Sequence, residues 1–208
     1  WVDNAARSQH NDAWAGRGSA LTSYGSGHLN AAGTHVVTFL MLARECGAKV
    51  PDHMFNGALR HFFRYAGRGN NPYGDNRPEV GFVDNGKNGK LAFAMAAAAA
   101  LTPEEENSLY ARARDVCAIQ SFYTTTFMLH GHTGGGIGEI WRSAAMGLLH
   151  DKKPSQYRDF MDSRKWHYDL SRRFDGSFCI LGGSGYDKEL WGVAYPLTYT
   201  IPRKTLRI

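Results

Sequence analysis

Prolines at positions 51, 103, 154 and 202 divide the chain at spacings of 52, 51 and 48 residues. A near-constant period of this size constrains the fold more than composition does, because each period must be one structural unit stacked on the next. A second set of landmarks keeps the same period. Trp14-Ala-Gly-Arg-Gly18 returns 51 residues later as Tyr65-Ala-Gly-Arg-Gly69, and Ser23-Tyr-Gly25 returns 49 residues later as Pro72-Tyr-Gly74. Each unit has the same order: glycine-rich loop, helix of small and apolar residues, proline, more charged helix. After a lead-in over 1–26, four units follow over 27–83, 84–126, 127–181 and 182–208, and we read 1–208 as one domain.

The helices are legible from side-chain type. His28 to Cys46 holds no proline and few charges, and its apolar residues fall on nearly every side, which predicts a helix buried all round. Gly47 supplies a stop. Pro51 opens an amphipathic helix over Asp52 to Tyr65, with Phe55, Leu59, Phe62 and Phe63 opposite Asn56, Arg60 and Arg64. In the second unit, Asp84 to Gly89 reads as loop and Leu91 to Leu101 as an alanine-rich helix. Thr102 is expected to cap the next helix, with Pro103 first and Glu104 to Glu106 at its positive end, running to about Phe122. In the third unit, the loop His130 to Gly136 leads into an apolar helix carrying Glu139, Trp141 and Arg142, and Ser155 to Arg173 follows outside it. Gly182 to Gly185 then opens a helix over Tyr186 to Thr200. Alternating strand patterns are missing, so the fold is read as all-α, with inner and outer helices alternating.

Composition narrows the function classes. The chain is 43% hydrophobic and 21% charged, with a net charge of +5, but its cations are scattered and form no basic run. No nucleic-acid surface is expected. The longest apolar stretch, Leu91 to Leu101, is too short to span a bilayer. Cys46, Cys117 and Cys179 are read as buried free thiols, with no thiolate metal site. The opening at Trp1 reads as the start of a segment cut from a longer protein.

Alternating helices with glycine loops before each inner one resemble the α/α toroids of the squalene cyclase and protein prenyltransferase superfamily, most of all uncharacterised bacterial cyclase-like toroids. Arg173-Phe-Asp-Gly-Ser-Phe178 is similar to the Asp-Gly-Ser-Trp ending of the cyclase repeat, with Phe in place of Trp. The resemblance implies a ring around a central cavity. Such rings hold about six inner helices, and four are supplied here, so another chain or the remainder of a parent protein is expected to cover the ends. The cyclase acid motif Asp-x-Asp-Asp is absent, which argues against cyclisation by protonation. Asp115-Val116-Cys117 spells the first part of the prenyltransferase zinc set but lies within an outer helix and lacks the later histidine. Leu129-His130-Gly131 resembles the lanthionine-synthetase loop without its cysteine ligands. No cofactor and no metal is expected.

In a toroid the loops entering the inner helices meet at one mouth of the cavity, where helix N-termini offer unpaired N–H groups. That places His28, Asn85, Lys87, Asn88, His130, His132, Glu139, Arg142, Tyr186, Asp187 and Glu189 around one ligand, with Trp141 and Trp191 lining the cavity. His132 and Glu139 form the sharpest pair, since a carboxylate beside an imidazole raises its basicity. A structural reading also fits: His130 and His132 bond loop backbone, and Glu139 pairs with Arg142 three residues on. On that reading Glu139→Gln should be nearly silent. His28 and His35, seven apart, share a helix face.

Two functions are therefore in view. One is a lyase or hydrolase of saccharide-like polymers, with His132, Glu139, Arg142 and Tyr186 as acid, base and charge stabilisers. The other is a non-catalytic helical scaffold for protein assembly.

Overall fold

In the computed structural model, residues 1–15, 27–74, 77–78, 87–123, 136–178, 196 and 198–199 are described. They form seven α-helices: α1 (Val2–Ser8), α2 (Asn30–Glu45), α3 (Asp52–Phe63), α4 (Lys87–Ala100), α5 (Leu109–Tyr123), α6 (Gly136–Leu148) and α7 (Pro154–Ser171), with one 3-10 turn at Glu105–Asn107. Among these residues there is no strand, only isolated bridges at His10/Ala13 and Arg172/Phe178. The fold is all-α.

Helices α2, α4 and α6 lie side by side with α4 in the middle. Behind them, α3 packs on α2 and α4, α5 on α4 and α6, and α7 on α6. The front helices run parallel. The Lys90 ammonium, in the first turn of α4, donates to the Ala31 carbonyl in the first turn of α2 at 3.4 Å. Gly89 lies so close to α6 that a Cβ there would sit 2.4 Å from the Trp141 carbonyl oxygen. Glycine at 89 is thus a condition of the α4–α6 packing, not a loop signal.

Three boundaries differ from the sequence reading. Helix α4 begins at Lys87 rather than near Leu91, because Asn88 is held by the neighbouring segment: its Oδ1 accepts from the Asn71 N–H at 2.8 Å. Thr102 does not open α5. Its hydroxyl donates back to the Ala99 carbonyl at 2.9 Å, finishing α4. Ser108 is the cap instead, its Oγ accepting from the Ala111 N–H at 3.1 Å. The lead-in also holds a helix, α1, that the glycine landmarks masked. Gly47 ends α2 at φ +80°, with the Ala48 N–H reaching the Ala43 carbonyl at 2.8 Å.

The core fills the space between the two layers, with Leu40, Met41, Met54, Ala58, Phe62, Leu91, Met95, Met146, Leu149 and Phe160 all under 2% exposed. Trp14 and Tyr65, equivalent in the two glycine landmarks, are both buried at 3%. Helix α2 is not buried all round: Phe39 is 38% exposed and Leu42 40%. Cys46 is exposed, contrary to the buried thiol expected, and Cys117 is buried. The expected inner helix over 186–200 lies largely outside the described residues.

Candidate functional site

Each front helix presents one half-open stripe at helical spacing: Ala32, His35, Val36 and Phe39 on α2, Phe93, Ala96 and Ala97 on α4, and Ile140, Trp141 and Ala144 on α6. The stripes meet. The His35 and Trp141 rings are 5.0 Å apart and tilted at 42°, and Phe93 meets Trp141 edge-on at 5.5 Å. Trp141 is therefore the centre of an aromatic face built from three helices. Burial, with Lys90 adding its positive charge, lowers the His35 imidazole to about 4. At neutral pH it is uncharged. Beside it, between α1 and the first half of α2, opens a cavity of about 620 Å³.

Glu139 and Arg142 point away from this face, as residues two before and one after Trp141 must on a helix. They enter a sealed charge cluster with α7. Arg164 Nη1 donates to both Glu139 oxygens at 3.1 and 3.2 Å, and the Tyr168 hydroxyl donates to Oε1 at 3.1 Å. Arg142 stands 3.6 Å from Oε2. Tyr168 and Ser143 both meet the Thr198 hydroxyl at 2.8 Å. Phe160 lies beneath both guanidinium groups, at 5.0 and 5.6 Å. Burial alone would raise the Glu139 carboxyl, but Arg164, Arg142 and His167 together hold it below its ordinary value. Burial, then Arg164, lowers His167 to about 4. A carboxylate 1% exposed and fixed as an anion does not act as a general acid on a bound ligand.

The other described candidates fall elsewhere. Asn88 joins Asn70, Asn71 and Gln120 in a buried amide cluster, with Asn88 Nδ2 donating to Asn70 Oδ1 at 2.9 Å and Gln120 Nε2 to the same oxygen at 3.3 Å. The Asn71 amide reaches the Lys87 carbonyl at 3.4 Å, and the Lys87 ammonium sits 5.9 Å from the Tyr73 ring centre. His28 precedes α2. It contacts the His10 carbonyl at 2.6 Å through Nε2 and stacks edge-on against His61 at 5.4 Å. It shares no face with His35, because the helix starts only at Asn30. All these groups gather at the end where α2, α4 and α6 begin, but in separate clusters and not around one ligand. Asn85, His130, His132, Tyr186, Asp187, Glu189 and Trp191 lie outside the described residues.

Sequence reasoning missed Arg164, His167 and Tyr168. Their signal was present: Phe160, Arg164, His167, Tyr168 and Ser171, the buried residues of α7, follow one 3.6-residue stripe. The charge of Arg164 in the middle of it obscured that stripe. His35, which was not among the expected site residues, is half-buried on the open face. Asp115 and Cys117 part company, the first in a surface ion pair with Arg114 and the second in the core.

A family model for a domain of unknown function, DUF6288, matches residues 2–208. No curated protein and no solved structure matches the chain.

Proposed function

The chain belongs to the DUF6288 family of domains of unknown function, and for it we propose a ligand-binding role on the face shared by α2, α4 and α6. In this reading the three are consecutive inner helices of an α/α toroid, and their half-open stripes line its central cavity. The observation that carries the proposal is the meeting of His35, Phe93 and Trp141, one ring from each helix, at 5.0 and 5.5 Å. A half-buried tryptophan braced on two sides is a stacking platform for the flat apolar face of a saccharide ring. Isothermal titration of the protein with neutral and uronate-containing oligosaccharides tests it. We expect saturable binding that Trp141→Ala weakens about tenfold. Unchanged affinity in Trp141→Ala, or no binding across the set, sinks the reading.

A catalytic version rests on His35. Its uncharged imidazole stands beside the platform to accept the proton that a lyase removes next to a uronate carboxylate as the 4-linked oxygen leaves, with a basicity that burial reduces. Its assay is the appearance of unsaturated product at ultraviolet wavelengths, lost in His35→Gln with affinity retained. No product from any bound saccharide leaves binding alone.

A further inference from the structure

The cavity between α1 and α2 has a character of its own. Its lining carries four rings, those of Trp1, Trp14, His35 and Phe39, with the small apolar side chains of Ala32 and Val36. We propose that it is a binding site for a planar aromatic group that bears no positive charge. Its volume of about 620 Å³ lies within the roughly 300–1,000 Å³ that holds a small organic ligand.

Two polar groups of the cavity wall are already bonded to backbone carbonyls of α1. Ser8 Oγ donates to the Asn4 carbonyl at 2.9 Å and the Ala5 carbonyl at 3.3 Å, and Trp14 Nε1 donates to the Ala5 carbonyl at 2.9 Å. Most of what faces the cavity is ring and methyl surface, with the Asn4 amide at its exposed edge, which favours a flat and largely hydrophobic guest. Charge then selects among flat guests. No acidic side chain lines the cavity among the described residues. His35 is uncharged at neutral pH, and Lys90 is close enough to influence its titration. A cationic guest meets no counter-charge and the field of Lys90, whereas a neutral or anionic one is tolerated.

The site goes beyond the saccharide reading. The two share the α2 stripe of Ala32, His35, Val36 and Phe39, but Phe93 and Trp141 belong to the saccharide face alone and Trp1 and Trp14 to this cavity alone. Trp141→Ala should therefore weaken saccharide binding and leave indole binding unchanged. The probes are indole, indole-3-acetate and tryptamine, which keep one ring and change the charge. Titrated calorimetrically into the full chain, indole and indole-3-acetate should saturate, with tryptamine about tenfold weaker. Ala32→Trp, which fills the cavity, should abolish binding of all three. Because that change could disturb packing, Phe39→Ala at a position 38% exposed is the second variant. It should weaken indole binding with the melting temperature unchanged. Absence of saturable indole binding overturns the proposal. So does tryptamine binding as tightly as indole-3-acetate, or indole affinity indifferent to both variants. Indole bound without any saccharide bound leaves this site standing and removes the saccharide face.

Discussion

Two glutamates, Glu139 and Glu106, are held by nearly the same set of partners in opposite surroundings. Glu139 meets Arg164, Arg142 and Tyr168 with its side chain 1% exposed. Glu106, before α5, takes both terminal nitrogens of Arg114 at 2.6 and 2.8 Å and Lys152 at 2.8 Å, with its own side chain 63% exposed. Asp115 completes the second cluster through Arg114 and Lys152. Both carboxyls sit below their ordinary values for different reasons. Hydrogen bonds from Arg114 and then Lys152 lower Glu106 to about 2 against little burial. At Glu139 the charges must first overcome desolvation. Contact lists alone do not distinguish the clusters. Water does, and it decides which one the fold depends on.

The largest expected effect follows directly. Glu139→Gln leaves Arg142 and Arg164 buried without their anion and should cost about 3–5 kcal/mol in chemical denaturation. The sequence reading of a structural i, i+3 pair with Arg142 made the same substitution nearly silent, and burial reverses that expectation. Arg164→Met should cost a comparable amount. The double variant should cost clearly less than the sum, since it removes an interacting pair together. Additive losses would show that the cluster is not one electrostatic unit.

Acid sharpens the contrast next. His35 and His167 are lowered from 6.5 to about 4 in the folded protein, so the unfolded chain takes up these protons first. The stability they contribute is complete above about 6.5 and falls as pH drops from there towards about 4. Glu139, also depressed, adds its loss at lower pH, below its ordinary value of 4.5. Melting temperatures should thus decline before any carboxylate titrates, and His167→Gln should flatten the first part of the decline. A flat profile from pH 6.5 to about 4 would mean that His167 is not held neutral by burial beside Arg164.

How much was legible in the chain follows the same division. Helix order, the proline and glycine punctuation and the layer alternation came from patterns within one segment, and local sequence records those. The Glu139 cluster joins residues 25 and 29 positions apart, and its face of α7 was obscured by the charge of Arg164 itself. Trp141 was expected to line a cavity and stands half-buried where three helices meet, but its partners His35 and Phe93 belong to two other units. Thr102 misled because a threonine before proline caps a helix as readily as it ends one, and only the Ala99 carbonyl settles which.

The smallest expected effect belongs to the surface cluster. Lys152 is 39% exposed and bridges Glu106 and Asp115, which visually makes it a keystone between the α6–α7 turn and the start of α5. Lys152→Ala should nevertheless cost less than about 1 kcal/mol, because solvent screens each contact and the long side chain loses entropy when fixed. Arg114, only 7% exposed, stays paired with Glu106 and Asp115 in the variant, so no charge is stranded. Added salt should shrink even this small cost, whereas the cost of Glu139→Gln should hardly respond. The acid limb separates the clusters as well: Glu106 stops contributing only between its ordinary 4.5 and about 2. Should Lys152→Ala destabilise the chain as much as Glu139→Gln, and do so independently of salt, exposure would not be what separates the two clusters. The surface network would then be as much a part of the fold as the buried one.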